Sequence, residues 1–322
     1  MPHIVTLTMN PALDVATAID RVIPDHKLRC GPALMHPGGG GINVARVVHR
    51  LGGNVLALYP AGGVNGATLN RLLDDEQVPR HALPLAGDTR ESFAVHEAST
   101  GHDYRFVLPG PTLQPAEWQA CLDALTALHP APRIVVLSGS LPPGVPVDFH
   151  ARVASTMQAR GCRVVLDSSG PALAATLQAG VYLVKPSLRE LQDLAGRALP
   201  EQADQLAACR QLIRAGQAQV VALTLGADGA LLVSAEQAWR AQALRVPVAS
   251  TIGAGDSFVG GLVWALDQTS AAAPDLAGAL RTALAASAAA LRSPGTALAD
   301  PLDVARLSAA VEIQPVDTPP RA

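Results

Sequence analysis

The run Ser250-Thr251-Ile252-Gly253-Ala254-Gly255-Asp256-Ser257-Phe258 sets two glycines and a carboxylate at the mouth of an apolar stretch that continues to Leu266. Such a stretch reads as a helix, and the first N–H groups of a helix have no partner within it. Around Gly253, Ala254 and Gly255 they would form a cradle for an anion at the positive end of the helix dipole. Asp256, held ionised there beside a bound phosphate, could take a proton from an attacking hydroxyl. The same residues would equally make an ordinary helix start, with an aspartate cap after a glycine turn. Glycine-plus-acid turns are common, so the loop by itself leaves both readings open.

Three further groups could join this chemistry. Gly38–Gly41 precede Ile42-Asn43. No Lys-Ser/Thr follows, so the run is not a Walker A loop, and it is not a dinucleotide fingerprint after a strand either. It is a tight turn, or a place where backbone approaches a ligand closely, with Asn43 offering an amide at the helix start. Lys27, Arg29, Arg90 and Arg105 fall in short extended segments of a chain with only 24 Lys and Arg in 322 residues, so together they could clamp a phosphate. Arginine does so with a bidentate fork, although solvated strand faces would explain any one of the four. In Lys185-Pro186-Ser187-Leu188-Arg189-Glu190 a strand end meets a helix start. Glu190 could hold a divalent cation, directly or through water, or serve only as a first-turn partner of the helix dipole. The nine histidines show no HExxH spacing and no serine sits in a G-x-S-x-G elbow, which removes metalloprotease and hydrolase readings.

The elements that must position these groups follow from pattern. Ile4–Thr8 is a β-branched strand emptying into a turn at Asn10–Asp14. Between Val15 and Met35 the prolines at 24 and 32 exclude a helix and favour small strands. Ile42–Leu51 and Ala67–Glu76 read as helices, with a strand at Val55–Tyr59 between them. Residues 92–96 and 104–107 flank Ser99-Thr100-Gly101 as a hairpin. The two extended segments, about 15–35 and 89–108, would form a small sheet of their own. So small a sheet cannot bury both faces, and one face should cover a site or meet another subunit. After Pro109 short apolar runs at Ile134–Leu137, Val164–Asp167, Tyr182–Lys185 and Val220–Leu225 alternate with helical stretches such as Ala116–Leu128, Asp148–Arg160 and Leu276–Arg292. Continuous rather than alternating hydrophobicity indicates helices on both faces of the sheet. The expectation is one α/β domain over 1–311 with a small β appendage, and a frayed tail at 312–322. Ligands of such sheets bind beyond the carboxyl ends of the strands. Asp14, Ser138, Ser140, Asp167, Lys185, Thr224, Gly226 and Asp256 all fall at those ends, and together they favour a cleft for an anionic, polyhydroxylated ligand.

Composition narrows the classes further. Aromatic residues make up 3% against 49% hydrophobic, so the core is aliphatic and there is no surface for stacking bases. With a net charge of −3 and no Lys/Arg run, nucleic acid is not an expected partner. Four cysteines without a CxxC pair suggest neither zinc nor disulfides. No signal-peptide pattern or uninterrupted apolar run of about 18 residues stands out, so no membrane is expected and the localisation expected is cytoplasmic.

Gly38–Gly41 with Ile42-Asn43-Val44-Ala45-Arg46, and Thr251–Ser257, resemble the two signatures of the PfkB/ribokinase family of sugar kinases. Pro11–Asp14, Lys27–Cys30, Tyr104–Val107, Ser138–Gly144 and Asp167–Gly170 are similar to its subgroup of minor-type bacterial 6-phosphofructokinases, over about residues 3–310. The resemblance implies a ribokinase-like three-layer α/β/α domain with a β-sheet lid, pairing as a homodimer through that lid. It implies ATP- and Mg²⁺-dependent phosphorylation of fructose 6-phosphate at its 1-hydroxyl, giving fructose 1,6-bisphosphate in glycolysis. By motif match Asp256 is the base, and Gly253, Ala254 and Gly255 form the anion hole. Asp14, Gly39, Gly40, Asn43 and Ser140 hold the sugar; Lys27, Arg29, Arg90 and Arg105 hold its phosphate, some of them from the neighbouring subunit. Lys185, Ser187, Thr224, Gly226, Gly229 and Ser287 line the nucleotide site, and Glu190 serves the metal.

Two positions depart from the family pattern. Its Asn-x-x-Glu metal motif reads Ser187-Leu188-Arg189-Glu190 here, which predicts activity with an altered Mg²⁺ dependence. Ser250, Ile252, Ala289 and Gly295 match a monovalent-cation (K⁺) site, but Arg292 stands where related sequences carry a neutral residue, and its guanidinium would compete with K⁺. Related 1-phosphofructokinases and tagatose-6-phosphate kinases carry Gly-Gly-Lys-Gly where this chain has Gly38–Gly41, so the absence of that lysine at Gly40 leans toward fructose 6-phosphate over those alternatives.

Overall fold

The structure, a computed structural model, describes residues 1–316. The chain opens with β1 (Ile4–Leu7), β2 (Ala12–Ile19), β3 (Leu34–Gly38), α1 (Gly40–Arg50), β4 (Val55–Ala61), α2 (Gly63–Asp75), β5 (Arg80–Pro84), β6 (Arg90–Glu97) and β7 (His102–Val107). Then come α3 (Pro115–Thr126), β8 (Ile134–Ser138), α4 (Phe149–Ala159), β9 (Arg163–Asp167), α5 (Gly170–Ala179), β10 (Val181–Val184), α6 (Leu188–Ala195), α7 (Gln202–Arg214) and β11 (Ala218–Thr224). After a short 3₁₀ turn, β12 (Ala230–Ser234), β13 (Ala238–Ala241), α8 (Ala254–Asp267), α9 (Leu276–Leu291), α10 (Pro301–Ser308) and β14 (Gln314–Pro315) complete it.

Ten strands form the main sheet in the order β14-β13-β12-β11-β10-β9-β8-β1-β4-β5, parallel from β11 to β5 and antiparallel at the other edge. Successive side chains go to opposite faces, and both faces are dry. Ile4, Ile134 and Val136 pack with α1, α8 and α9, while Val5, Val135 and Leu137 pack with α3, α4 and α7. Each fully buried Val or Leu contributes roughly 1.5–3 kcal/mol relative to exposure, so two dry faces explain the continuous apolar runs. The result is the three-layer α/β/α arrangement that the motifs implied.

The lid is a separate sheet in the order β3-β2-β6-β7. Asp14 pairs in register with Ser92 on one side and His36 on the other. Every residue of β7 is exposed. Of the segment expected to be small strands, only its ends are strand; residues 20–33 cross as a loop with no regular structure. Gly31 N–H and Thr17 fasten that loop to β2 through Ala18 O and Gly31 O.

Several elements differ from their expected bounds. α2 starts at Gly63 rather than Ala67, because Gly63 turns the chain at φ 65° and the Gly62 carbonyl receives the Gly66 N–H. β5 is an edge strand whose mixed sequence Arg-His-Ala-Leu-Pro carries no apolar run. The stretch from Glu312, expected to fray, lays Gln314–Pro315 against β13; the remainder of that tail lies outside the described residues. No helix among the described residues is long and apolar enough to cross a membrane.

Candidate active site

The two sheets meet over the carboxyl ends of β1, β8 and β9, and there they enclose a cavity of about 290 Å³. Its walls include Asp14, Gly39, Gly40, Asn43, Arg90, Arg105, Ser140, Glu190, Gly253 and Asp256. A second cavity, about 440 Å³, lies on the other side of the loop before α8 and is lined by Ser187, Thr224, Gly226, Gly229, Ala254, Gly255 and Ser287 among apolar side chains such as Leu244 and Phe258. Gly253–Asp256, the cap and first turn of α8, is thus the wall between two cavities, facing the polar one with Gly253 and Asp256 and the apolar one with Ala254 and Gly255.

Gly253 caps α8 with φ 76°, a left-handed conformation that glycine adopts freely. The turn leaves the first N–H groups of a 14-residue helix without helical partners. Asp256 follows in the first turn, and Asn43 of α1 donates from Nδ2 to its Oδ2 at 2.8 Å. Burial and the neighbouring Asp167 carboxylate push the Asp256 carboxyl up to about 6, against the pull of Asn43 and Lys185. Asp14 is likewise raised to about 6 by burial, despite Arg105, Arg90 and Arg46 nearby. The polar cavity therefore holds two carboxyl groups that ionise just below neutrality, the range in which a general base works best.

The other expected residues are placed as follows. Arg90 is half-buried and donates to Asn10 O at 3.1 Å and Leu108 O at 3.1 Å, which pins the lid strand to the rim. Ser140 accepts from Asn10 Nδ2 at 3.1 Å. Gly40 lies so close to β8 that a Cβ there would come within 2.3 Å of Ser138 Oγ. Lys185, expected beside the nucleotide, lines neither cavity; it is buried and pairs at 3.0 Å with Asp167, and although burial pulls its ammonium down, Asp167 together with Glu190 and Asp256 raises it and holds it charged. Ser187 caps α6: its N–H and hydroxyl both donate to Glu190 Oε2, at 2.8 and 2.9 Å, and its oxygen accepts the Glu190 N–H. Lys27 and Arg29 stand apart, exposed on the 20–33 loop and lining neither cavity of their own chain. Arg292 donates to Asp303 at 2.9 Å.

The fit to a nucleotide and a metal can be judged from these donors. Unpartnered N–H groups at the start of α8 beside a largely apolar cavity suit a polyphosphate joined to a flat base. Among the described residues no group of three or more His, Cys, Asp or Glu could hold a metal unaided. Mg²⁺ keeps its waters and takes one or two carboxylates along with phosphate oxygens, and Glu190 offers one carboxylate at the cavity wall.

Sequence reasoning about the site passed over Arg46 and Glu76. Arg46 is completely buried and reaches Asn43 Oδ1 at 3.2 Å, while Glu76 of the α2 C-cap clasps its guanidinium. A signal existed: an arginine three positions after Asn43, in the middle of a helix otherwise apolar on that face.

The pfkB family carbohydrate kinase profile matches residues 7–303. The chain is 46% identical over 305 residues to the ATP-dependent 6-phosphofructokinase isozyme 2 of Mycobacterium tuberculosis, covering 95% of this chain and 88% of that one. It is 34% identical over 314 residues to the 1-phosphofructokinase of Escherichia coli K12, covering 97% and 98%. The crystal structure of phosphofructokinase-2 from Escherichia coli in complex with potassium superposes with a TM-score of 0.90 at 39% identity, over 96% of this chain and 99% of that one. Motif, fold and near-complete coverage agree, and the chain belongs to the pfkB family of carbohydrate kinases.

Proposed function

We propose that this kinase transfers the terminal phosphoryl group of ATP to the 1-hydroxyl of fructose 6-phosphate, giving fructose 1,6-bisphosphate. The observation that carries the reading is the Gly253–Asp256 loop, which opens one side to an acidic, polar cavity and the other to an apolar one. A phosphoryl group passing between two ligands needs such a shared wall, because positioning and charge neutralisation do most of the work in this reaction.

In the polar cavity Asp14, Asn43, Ser140 and the Gly39–Gly40 backbone orient the sugar hydroxyls, and Arg90 and Arg105 take its 6-phosphate. Asp256 accepts the proton of the 1-hydroxyl as its oxygen forms the new bond to phosphorus and the old bond to the leaving oxygen breaks. The N–H groups of Gly253–Gly255 stabilise charge on the transferring group. ATP with Mg²⁺ supplies the phosphoryl group and screens its charge; Glu190 would hold the metal, with Ser187 fixing that carboxylate, and Thr224, Gly226, Gly229 and Ser287 line the nucleotide site, while the charge of Lys185 acts from behind on Asp167, Glu190 and Asp256. Ser250, Ile252, Ala289 and Gly295 form the monovalent-cation site. Arg292 turns its guanidinium to Asp303, a carboxylate it shares with Arg306. Lys27 and Arg29 reach a phosphate across a lid-to-lid homodimer, and the enzyme works in the cytoplasm as a single domain.

Two observations favour fructose 6-phosphate over other sugar phosphates. The named 6-phosphofructokinase shares more identity with the chain than the named 1-phosphofructokinase does. Gly40 also lies against Ser138, so a side chain there would have to displace the Ser138 hydroxyl and sit tight against the Ser138–Gly139 backbone. A coupled assay should show fructose 6-phosphate consumed with ATP at least tenfold faster, in kcat/KM, than fructose 1-phosphate or tagatose 6-phosphate. Preference for either of those overturns the substrate assignment, and binding without ADP release would indicate a sensor. Asp256→Asn should lose about 10³-fold or more in kcat while still binding sugar phosphate, as expected when a general base goes.

A further inference from the structure

Arg46 lies one layer behind the cavity and touches neither ligand space, yet it is the most thoroughly held cation among the described residues. Its Nε donates to both Glu76 oxygens, at 3.1 and 3.0 Å, and its Nη2 to Glu76 Oε1 at 2.6 Å. Nη1 faces Pro37 O at 3.1 Å, Asn43 Oδ1 at 3.2 Å and Thr296 O at 3.0 Å. One planar group thus fixes the end of β3, the Asn43 amide and the loop after α9. Arg50 donates to Glu76 Oε2 at 3.0 Å, so the clasp is itself anchored.

The orientation of the Asn43 amide follows from its neighbours. A guanidinium only donates and a carboxylate only accepts, so an amide between them must turn its oxygen to Arg46 and its NH₂ to Asp256. That is the arrangement seen, with 3.2 Å on one side and 2.8 Å on the other. Turned the other way, the amide oxygen would face the carboxylate and the NH₂ would face the cation.

We infer that Arg46 is a positioning residue for the phosphoryl transfer: clasped by Glu76, it locks the Asn43 amide so that its NH₂ stays on the Asp256 carboxylate and holds that base in its working orientation. The inference rests on the reading of Asp256 as the base. A role in folding alone is the competing account, because a buried ion pair broken on one side is costly for stability. The two differ in what they do to the base. A folding role changes the amount of active protein; an orienting role changes the pH at which the active protein works.

Other charges bear on the same groups; Glu76 is itself varied in the test, and Arg46→Lys keeps the charge by which Arg46 lowers the Asp14 carboxyl. Asp14 on β2, Asp167 at the end of β9 and Lys185 beyond β10 act on Asp256. His36 on β3, Arg50 on α1, Glu76 at the end of α2 and Asp14 on β2 surround Arg46.

The test is the pH profile of kcat/KM for fructose 6-phosphate, with the thermal midpoint of each protein, in Arg46→Lys, Arg46→Met, Glu76→Gln and Asp256→Asn. Losing the Asn43 donor raises the pKa of the base. The acid limb of Arg46→Met should therefore move up by ~0.5–1 pH unit, with kcat at pH 7 lower by roughly 10–100-fold, the scale of a misplaced catalytic group. Arg46→Lys keeps one cationic donor and should recover part of both losses. Glu76→Gln, changed at a partly exposed site, should shift the limb the same way by less. If Arg46→Met does not fold, the lysine and glutamine variants decide. Folded Arg46→Lys and Glu76→Gln with the wild-type acid limb overturn the inference, whatever their midpoints. An inactive Asp256→Asn beside unshifted limbs rejects Arg46 alone; an active Asp256→Asn rejects the base and the inference with it.

Discussion

Asp256 is held in a state the fold does not favour. Its carboxyl titrates near 6, above the ordinary value of 3.8, with burial the largest cause and Asp167 next. Between those two values the folded protein keeps a proton that the unfolded chain has released, so stability falls as pH rises through that window. At neutral pH the ionised base costs on the order of 1–3 kcal/mol of folding free energy. Asp256→Asn should remove that cost while keeping the Asn43 hydrogen bond. In calorimetry at pH 8 the variant should melt a few degrees above the wild type, and the gap should narrow toward pH 5 as the wild-type carboxyl takes up its proton. An Asp256→Asn protein that melts lower than wild type at pH 8 would show that the carboxylate is stabilised by its surroundings. The same environment gives the activity an acid limb near pH 6, made steeper where Asp14, also raised to about 6, protonates in the same range.

At the scale of elements, α6 shows how a single substitution relative to the family pattern is absorbed. Ser187 and Glu190 form a reciprocal cap, each satisfying a group at the helix start. The cap uses Glu190 Oε2 twice and thereby fixes how the carboxylate faces the cavity. Ser187→Ala should cost about 1 kcal/mol through the lost cap and raise the Mg²⁺ concentration needed for half-maximal rate, read in a metal titration at saturating ATP. An unchanged metal titration would confine Ser187 to the helix. Such elements were readable where the pattern was periodic or the turn residues were distinctive, as in the strands at the core of the main sheet, α1, α8 and the β6–β7 hairpin. They were not readable where tertiary pairing alone makes the element. β5 and β14 are edge strands without an apolar run; β5 pairs with the preceding strand β4, and β14 with β13, about 75 residues earlier in the chain. The Gly253–Asp256 turn was ambiguous alone, since glycines and acids before helices are common; it read as a candidate site only in company with the Gly38–Gly41 turn, the lid cations and the polar strand ends. The clasp of Arg46 by Glu76 was not legible, because two charges 30 residues apart give no local sign that they meet.

Within the whole molecule the lid carries a cluster of apolar side chains that its own fold leaves uncovered. The lid exposes Leu34, Met35, Phe93, Phe106 and Val107, with Phe106 at 56% and Val107 at 61% exposure. A four-stranded sheet with so much apolar surface on view is suited to burial against a like sheet. Lys27 and Arg29, exposed on the 20–33 loop, line neither cavity of their own chain, and the proposed pairing would bring them to the sugar phosphate of the partner. In a lid-to-lid pair, apolar burial and substrate binding would be coupled. Phe106→Asp places a charge in the middle of that surface and should give a monomer in sedimentation velocity. Its KM for fructose 6-phosphate should rise by about tenfold or more, the equivalent of one lost charge-assisted hydrogen bond, while its KM for ATP changes little because the second cavity contains no lid residue. A monomeric Phe106→Asp protein with an unchanged KM for the sugar phosphate would separate assembly from binding and return Lys27 and Arg29 to the role of solvated surface charges.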